Sequence, residues 1–215
     1  MIMVHVFFEP WVGQNYQTGG IFSKKILVLG ESHYCGNPEC KGKCGFRDFP
    51  DGGCEDFTQN TVKDYLNGKK DYWTSTYLKF EKSLYDHSKD NDYVERDERI
   101  WNSLAFFNFL QVDIIEARKG RTPEDYNEGR IAFLEVIEEL QPDLIIAWGT
   151  TRLWNNLPGK EAGWIEGEEL IVDNWSVPNG YYQLTNGKQT RIIAVYHPSS
   201  GYSWDWWYKV ISTQL

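Results

Sequence analysis

Apolar runs and helix-like segments alternate along this chain. Four short runs consist mainly of branched aliphatic and aromatic residues, and they occupy positions 26–29, 104–110, 144–148 and 192–195. Runs of this length and composition are typical of buried strands. Between and after them, apolar residues recur at helical spacing at positions 57–66, 74–85, 123–140 and from 204 onward. The alternation predicts an α/β fold of three layers, in which helices flank a central sheet of four parallel strands.

Local signals mark the longest helix. Thr122 is a favoured N-cap residue, and Pro123 suits the first helical position. Asp125 lies near the positive end of the helix dipole, and Gln141-Pro142 ends the pattern. The sequence therefore predicts a helix that begins after Thr122 and ends at about residue 140.

The remaining segments contain few long apolar runs. Residues 158–190 are rich in Gly, Trp and Asn, which predicts loops, and Asn186-Gly187 predicts a hairpin turn. A short helix is expected at 151–157. No internal repeat or low-complexity linker interrupts the chain, so we expect a single domain over residues 1–215.

Polar residues stand where the predicted strands end. Gly30-Glu31-Ser32-His33-Tyr34 follows the first strand, and Tyr196-His197-Pro198-Ser199-Ser200 follows the fourth. Carboxyl ends of parallel strands meet at one edge of a sheet, where ligand sites are usual. Asn108 lies within the second run, and an unpaired buried amide costs about 1–3 kcal/mol. We therefore expect Asn108 either to bond the backbone or to face a ligand.

Composition narrows the range of functions. The 215 residues carry a formal net charge of -9 and a pI near 5.0, which argues against a protein that coats nucleic acid without specificity. No apolar run reaches 18 residues and the start lacks signal-peptide features, so we expect a cytoplasmic protein with no membrane partner. Two interpretations remain open for the basic residues of two segments: they form a local basic rim, or they are scattered surface charges. These residues are Lys41, Lys43, Arg47, Arg118, Lys119 and Arg121.

Four cysteines fall close together. Cys35, Cys40, Cys44 and Cys54 have the spacing C-x4-C-x3-C-x9-C, with five glycines among them. In a reducing compartment, clustered thiols favour a metal over disulfides. Zinc is the default ion for a closed site of four thiolates, and it would hold the glycine-rich loop 35–54 in place. Four thiols without a metal are the alternative.

The polar strand ends resemble the motifs of a known family. Gly30-Glu31-Ser32-His33-Tyr34, Asn108 and Tyr196-His197-Pro198-Ser199 look like the three motifs of the uracil-DNA glycosylase superfamily, in the family's order. The family's first motif is written GQDPYH in one branch and GEAPG in another, and its last motif begins HPS. Residues 144–149 resemble the family's step before that last motif. The resemblance spans residues 25–210 as islands, and it implies a four-stranded parallel sheet with a pocket for a base flipped out of DNA.

The resemblance also implies roles for individual residues. His197 would stabilise the departing base anion, and Asn108 would bind O4 and N3–H of uracil. Tyr34 would crowd the C5 position and exclude thymine. Phe46, with Phe49 as its rival, would stack on the base. The remaining residues expected around the base are Gly30, His33 and Ser199.

The activation of water is where the chain departs from the family. Ser32 stands at the position of the GQDPYH aspartate, whereas Glu31 matches the glutamate of the GEAPG branch and is our candidate for positioning water. The family's wedge leucine aligns with Gly201, and Tyr202 or Trp204 is our hypothesis for the residue that fills the gap left by the base. Further DNA contacts are expected from Ser200, Lys43, Arg47 and Arg118.

Three functions follow, in order of preference. The first is a monomeric glycosylase that removes uracil or another deaminated base from DNA, with His197, Glu31 and Ser32 as its catalytic residues. The second is a member of the same fold that binds nucleic acid or a nucleotide and cuts weakly or not at all. The third is a hydrolase that uses His197 with Ser199 or Ser200, and it ranks last because no G-x-S-x-G elbow is present. One glycosylase branch carries a 4Fe–4S cluster, so this cluster is the alternative to zinc.

Overall fold

The computed structural model describes residues 3–35, 54–86, 93–114 and 121–215. Its strands are β1 (Trp11–Val12), β2 (Ile26–Gly30), β3 (His33–Tyr34), β4 (Leu104–Asn108), β5 (Asp113–Ile114), β6 (Leu144–Trp148), β7 (Trp164–Glu166), β8 (Leu170–Val172), β9 (Trp175–Val177), β10 (Asn179–Gln183) and β11 (Gln189–Val195). Its helices are α1 (Phe57–Leu66), α2 (Thr74–Lys82), α3 (Glu98–Trp101), α4 (Pro123–Leu140), α5 (Arg152–Asn155) and α6 (Trp204–Ser212).

The main sheet has seven strands, in the order β1-β4-β2-β6-β11-β10-β7. Its centre, β4-β2-β6-β11, is parallel and consists of the four strands that the apolar runs predict. β1, β10 and β7 extend the sheet in antiparallel orientation, so the whole sheet has three strands more than the four predicted. β1 has only two residues, β7 has no buried position and β10 mixes exposed with buried positions, so none of the three forms a continuous apolar run.

Helices pack on both faces of the sheet, which confirms the predicted mixed α/β architecture. Alternate strand residues such as Val28, Phe106 and Ile146 pack against α1, α2, α3 and α6. Their neighbours, such as Leu29 and Ile145, pack against α4 and α5 on the opposite face. Strands buried on both sides need apolar residues at every position, which is why the runs are unbroken.

The longest helix begins where the sequence predicts. The Thr122 hydroxyl accepts a hydrogen bond from the Asp125 backbone N–H at 3.2 Å, and the Asp125 carboxylate accepts one from the Thr122 N–H at 2.7 Å. This reciprocal pair satisfies two donors that the first turn leaves open. Gln141 ends α4 in a left-handed conformation, with φ of 52°.

The chain connections diverge at the carboxyl edge of the sheet, which predicts a crevice between β2 and β6. β2 and β6 are adjacent parallel strands, but the chain leaves β2 toward β4 on one side and leaves β6 toward β11 on the other. In open α/β sheets, ligands bind where two such neighbouring connections diverge. Glu31 directly follows β2, and Arg152 begins the helix that follows β6. Among the described residues, no helix has both the length and the apolar character needed to cross a bilayer.

Candidate functional site

The register of the parallel strands aligns the four residues that end them. Gly30 of β2 pairs with Asn108 of β4, and Trp148 of β6 pairs with Val195 of β11. His197 lies two residues beyond Val195, and side chains two apart in an extended chain share a face. The rings of His197 and Trp148 are 5.9 Å apart and perpendicular. Asn108 and His197 therefore lie at the same edge, with Gly30 and Trp148 between them.

His197 has one fixed ring nitrogen and one open one. The backbone N–H of Ser199 donates to Nδ1 at 3.2 Å, and the Ser199 hydroxyl lies 2.8 Å from the same atom. A backbone N–H can only donate, so Nδ1 is the acceptor and the neutral ring carries its proton on Nε2. Within the described parts of the chain, Nε2 has no hydrogen-bond partner.

Burial lowers the pKa of His197, and the Arg152 charge acts in the same direction, whereas the Glu31 carboxylate raises it. The net pKa lies below the ordinary value for histidine, so the ring is neutral at pH 7. Trp148 stands beside it with a buried indole N–H for which the described residues provide no acceptor. Two neutral donors therefore lie close together at the end of β6 and β11.

Asn108 is buried, and its amide lies over β2. Its Nδ2 is 3.1 Å from Nδ1 and 3.2 Å from Nε2 of His33. A methyl group on Gly30 would lie 2.1 Å from Asn108 Oδ1, so glycine is needed for this approach. None of the hydrogen bonds among the described residues uses Oδ1. Asn108 therefore keeps its amide oxygen as an acceptor, while His33 engages its amide nitrogen, which has two N–H groups.

His33 belongs to the protein interior. It is 3% exposed, its Nε2 lies 2.9 Å from the Thr58 hydroxyl, and its ring packs 4.7 Å from Phe8 and 4.6 Å from Phe57. Burial lowers its pKa to about 3, so it is neutral. We predicted His33 as a base contact, and the structure places it behind Asn108, where it orients the amide.

Glu31 lies at the centre of a charged cluster. Arg152 donates to both carboxylate oxygens at 2.5 and 2.8 Å, and the Tyr126 hydroxyl donates at 2.7 Å. Arg121 Nη2 lies 3.6 Å from Oε2. Burial by itself raises the pKa of Glu31, but the hydrogen bonds from Arg152 and Tyr126 and the two arginine charges outweigh it and hold the pKa below its usual range. The carboxylate is ionised and already bonded at both oxygens, so it is poorly placed to activate water.

Ser32 and Tyr34 face the same arginine. Arg121 Nη2 lies 3.2 Å from the Ser32 hydroxyl oxygen and 3.3 Å from the Tyr34 hydroxyl oxygen. Tyr34 is 44% exposed, whereas the Arg121 side chain is only 5% exposed. The residues that the family motif assigns to water activation and thymine exclusion are thus both joined to Arg121.

The residues after the HPS sequence differ in what they offer to DNA. Ser200 is exposed, and its backbone N–H closes the turn on the His197 carbonyl at 3.0 Å. Tyr202 is 8% exposed, with its hydroxyl 2.6 Å from that of Ser83 and its ring stacked on Trp207. Tyr202 therefore joins α2 to α6, and Trp204, which is 36% exposed, is the better placed of our two wedge hypotheses.

The two described cysteines lie at the ends of the predicted metal loop. Cys35 and Cys54 are partly buried and pack against the same cluster around Phe8. Among the described residues, no group of three or more His, Cys, Asp or Glu side chains could hold a metal. Except for Arg121, the other predicted residues of this loop and of the basic rim lie outside the described residues: Cys40, Lys41, Lys43, Cys44, Phe46, Arg47, Phe49, Arg118 and Lys119.

Sequence reasoning missed Arg152 and Tyr126 as site residues and treated Arg121 only as part of a rim. Arg152 follows the turn at Gly149, and Arg121 directly precedes the α4 cap. A buried carboxylate such as Glu31 needs counter-charges, and these positions after neighbouring strands were the places to search for them. The arginines are visible in the sequence, but only the strand order shows that they meet Glu31.

The fold and site define an α/β protein with polar side chains gathered at the carboxyl edge of its parallel strands. Neither a scan against models of protein families nor a search of curated proteins gives a match to the chain. The functional argument therefore starts from the geometry of this crevice.

Proposed function

We propose that the protein is a DNA glycosylase-like enzyme that receives an extruded base in the crevice and hydrolyses its N-glycosidic bond. Its substrate would be uracil or another deaminated base in DNA, and it would act as a monomer in the cytoplasm. The observation that carries the proposal is the neutral His197, whose Nε2–H is held as an open donor at a strand end.

Hydrolysis of an N-glycosidic bond is accelerated by such a donor. When the glycosidic bond breaks, negative charge develops on the carbonyl oxygens of the leaving base, and the sugar becomes oxocarbenium-like. A fixed donor aimed at that oxygen stabilises the transition state more than the ground state. The nearby cluster of two arginines and one glutamate has a net charge of +1, which also favours an anionic leaving group.

The state of Asn108 suggests how deaminated bases are selected. Its Nδ2 is engaged by His33, which leaves Oδ1 to accept from a base. Uracil, hypoxanthine and xanthine carry an N–H at the Watson–Crick edge, whereas cytosine and adenine carry a lone pair on the corresponding ring nitrogen. β4 and β11 are three inter-strand spacings apart, about 14 Å, which accommodates two side chains with one heterocycle bonded between them.

A second candidate, binding without efficient cutting, is favoured by the state of Glu31. Both of its oxygens are bonded to cationic or hydroxyl donors, and its pKa is low. Ser32 is not a base at neutral pH and accepts a hydrogen bond from Arg121. If no other group positions water, the crevice would hold a flipped base and release it unchanged.

The decisive experiment incubates the purified protein with DNA that contains one uracil, hypoxanthine or xanthine and measures abasic sites. We expect His197→Ala to lower the single-turnover rate by about 100-fold or more, the effect of losing one donor to a developing oxyanion. His5→Ala is the matched control, because His5 is exposed and pairs with Glu135 away from the crevice. Retained DNA binding without abasic sites would favour the second candidate, and equal rates in His197→Ala and wild type would refute the first.

We also propose that Cys35, Cys40, Cys44 and Cys54 hold a structural zinc ion, with a 4Fe–4S cluster as the alternative. The support is the thiolate set itself and the packing of Cys35 and Cys54 on one cluster. Metal analysis of the purified protein should find about one zinc per chain. Iron together with visible absorbance would identify the cluster instead, and neither metal would refute both.

A further inference from the structure

The charged cluster at the crevice contains more positive than negative charge. Glu31 is its one carboxylate, and Arg152 and Arg121 are its two guanidinium groups. Arg152 takes the better geometry with Glu31, because it donates to both oxygens. Arg121 stands farther away at 3.6 Å, so its charge is only partly compensated.

Arg121 is the unexplained member of this cluster. Its side chain is 5% exposed, and its Nη2 reaches Ser32 and Tyr34, but Nε and Nη1 have no partner in the described part of the structure. Buried donors of a charged group that find no acceptor destabilise a fold. A side chain in this state points to an acceptor that arrives from outside the chain.

The groups around Arg121 are almost all donors. The hydroxyls of Ser32 and Tyr34 accept from Arg121, so their own hydrogens are available to donate outward. Arg152 is 42% exposed and uses only Nε and Nη2 on Glu31. The single acceptor in the cluster, Glu31, is saturated from within. A group of hydrogen-bond donors with excess positive charge is complementary to an anion that has acceptors in several directions.

We propose that Arg121 and Arg152, held by Glu31 and flanked by Ser32 and Tyr34, form a binding site for a phosphate group. Tetrahedral phosphate oxygens can engage the guanidinium donors and the hydroxyls together, which a flat carboxylate does less completely. The site lies where the connections of β2 and β6 diverge, the position at which α/β sheets place ligands.

The phosphate has two possible sources. It can belong to the nucleotide whose base reaches His197, because Arg152 follows β6, and β6 lies next to β11, the strand that leads to His197. It can also be a free phosphate or a small phosphorylated molecule. Only the assignment to DNA rests on the proposed function, and the site itself does not.

The first experiment uses inorganic phosphate alone as the probe. Thermal unfolding is recorded at constant ionic strength while chloride is replaced by phosphate. We expect the midpoint of the wild type to rise with phosphate, because a ligand that binds only the folded state stabilises it. Arg121→Gln should weaken phosphate binding about tenfold or more, the usual effect of losing charged hydrogen bonds. Lys209→Gln, at an exposed ion pair on α6, should behave as wild type.

Stability without phosphate separates a binding role from a structural one. If Arg121 is held ready for a ligand, Arg121→Gln should unfold at the same temperature as wild type or higher, because two buried N–H donors that lack an acceptor among the described residues are removed. Arg121→Lys should keep part of the phosphate response, since it retains the charge but not the planar donors. A wild type without a phosphate response would overturn the proposal. An Arg121→Gln variant that is less stable but keeps the response would overturn it as well.

The second experiment identifies the source. Binding of an oligonucleotide with a single uncleavable abasic nucleotide is measured by fluorescence anisotropy, with inorganic phosphate as competitor. Weaker binding by Arg121→Gln, together with competition by phosphate, assigns the site to DNA. If phosphate stabilises the wild type in the first experiment but Arg121→Gln binds DNA as tightly as wild type, the site binds a free phosphate. That result supports the phosphate site and counts only against the proposed function.

Discussion

Two histidines follow parallel strands at the same edge of the sheet, and their surroundings differ. The His33 region is closed: its ring lies among Phe8 and Phe57, and its nitrogens meet Thr58 and Asn108. The His197 region is open on one side, because Nδ1 is bonded within its own turn and Nε2 is not. Burial lowers the pKa of both rings, so charge does not distinguish them. The difference is the unused donor, which makes His197 able to bind a ligand and His33 a positioning residue.

The largest expected effect is the acid sensitivity of the His33 region. Burial lowers the pKa of His33 from 6.5 to about 3, so below pH 6.5 the unfolded chain binds a proton that the folded chain does not. Stability from this residue is complete above pH 6.5 and falls by about 1.4 kcal/mol per pH unit below it, on the order of 4 kcal/mol by pH 3. Urea unfolding between pH 7.5 and 4.5 measures the slope.

Two variants sharpen this pH comparison. His33→Gln should flatten the slope between pH 6.5 and 4.5, while His197→Gln should keep most of it. Carboxylates with lowered pKa, such as Glu31, lose their contribution only at lower pH, below about 4.5. A wild-type protein with equal stability at pH 7.5 and 4.5 would show that His33 is protonated in the folded state.

The next effect is the loss of each ring at neutral pH. His33→Ala should destabilise the protein by about 3 kcal/mol, because it leaves a cavity between two phenylalanines and unpairs the Asn108 amide. His197→Ala should cost about 1 kcal/mol or less, since the residue is only partly buried and its hydrogen bonds lie within its own turn. Denaturant unfolding of both variants measures the difference. Equal losses would contradict the distinction between a closed and an open region.

The smallest effect concerns the residues beyond His197. Tyr202→Phe removes the hydrogen bond to Ser83 and should cost about 1 kcal/mol of unfolding free energy. It should leave the affinity for abasic DNA unchanged, because the ring is fixed between α2 and α6. Trp204→Ala should weaken that affinity instead. A larger loss of DNA binding in Tyr202→Phe would restore Tyr202 as the wedge.

Local patterns predicted the elements that use local physics. The capping signals of Thr122 and Asp125 act within one helical turn, and the structure has that helix in the expected place. Four unbroken apolar runs predicted the parallel centre of the sheet, since strands covered on both faces have no polar side. The Asn186-Gly187 turn predicted the hairpin that joins β10 to β11, whereas β7 was missed, because its pairing with β10 outweighs a weak hydrophobic signal.

The candidate site shows the same division. The sequence by itself determined which chemical groups stand at the strand ends, among them Glu31, Asn108 and His197, because strand ends follow from hydrophobic pattern and turn chemistry. Only the tertiary structure decided what each group does, since a carboxylate paired with two arginines and one facing water have the same local sequence. Partners distant in the chain, such as Arg152 for Glu31 and His33 for Asn108, meet through the strand order, and these contacts set which donors and acceptors remain for a ligand.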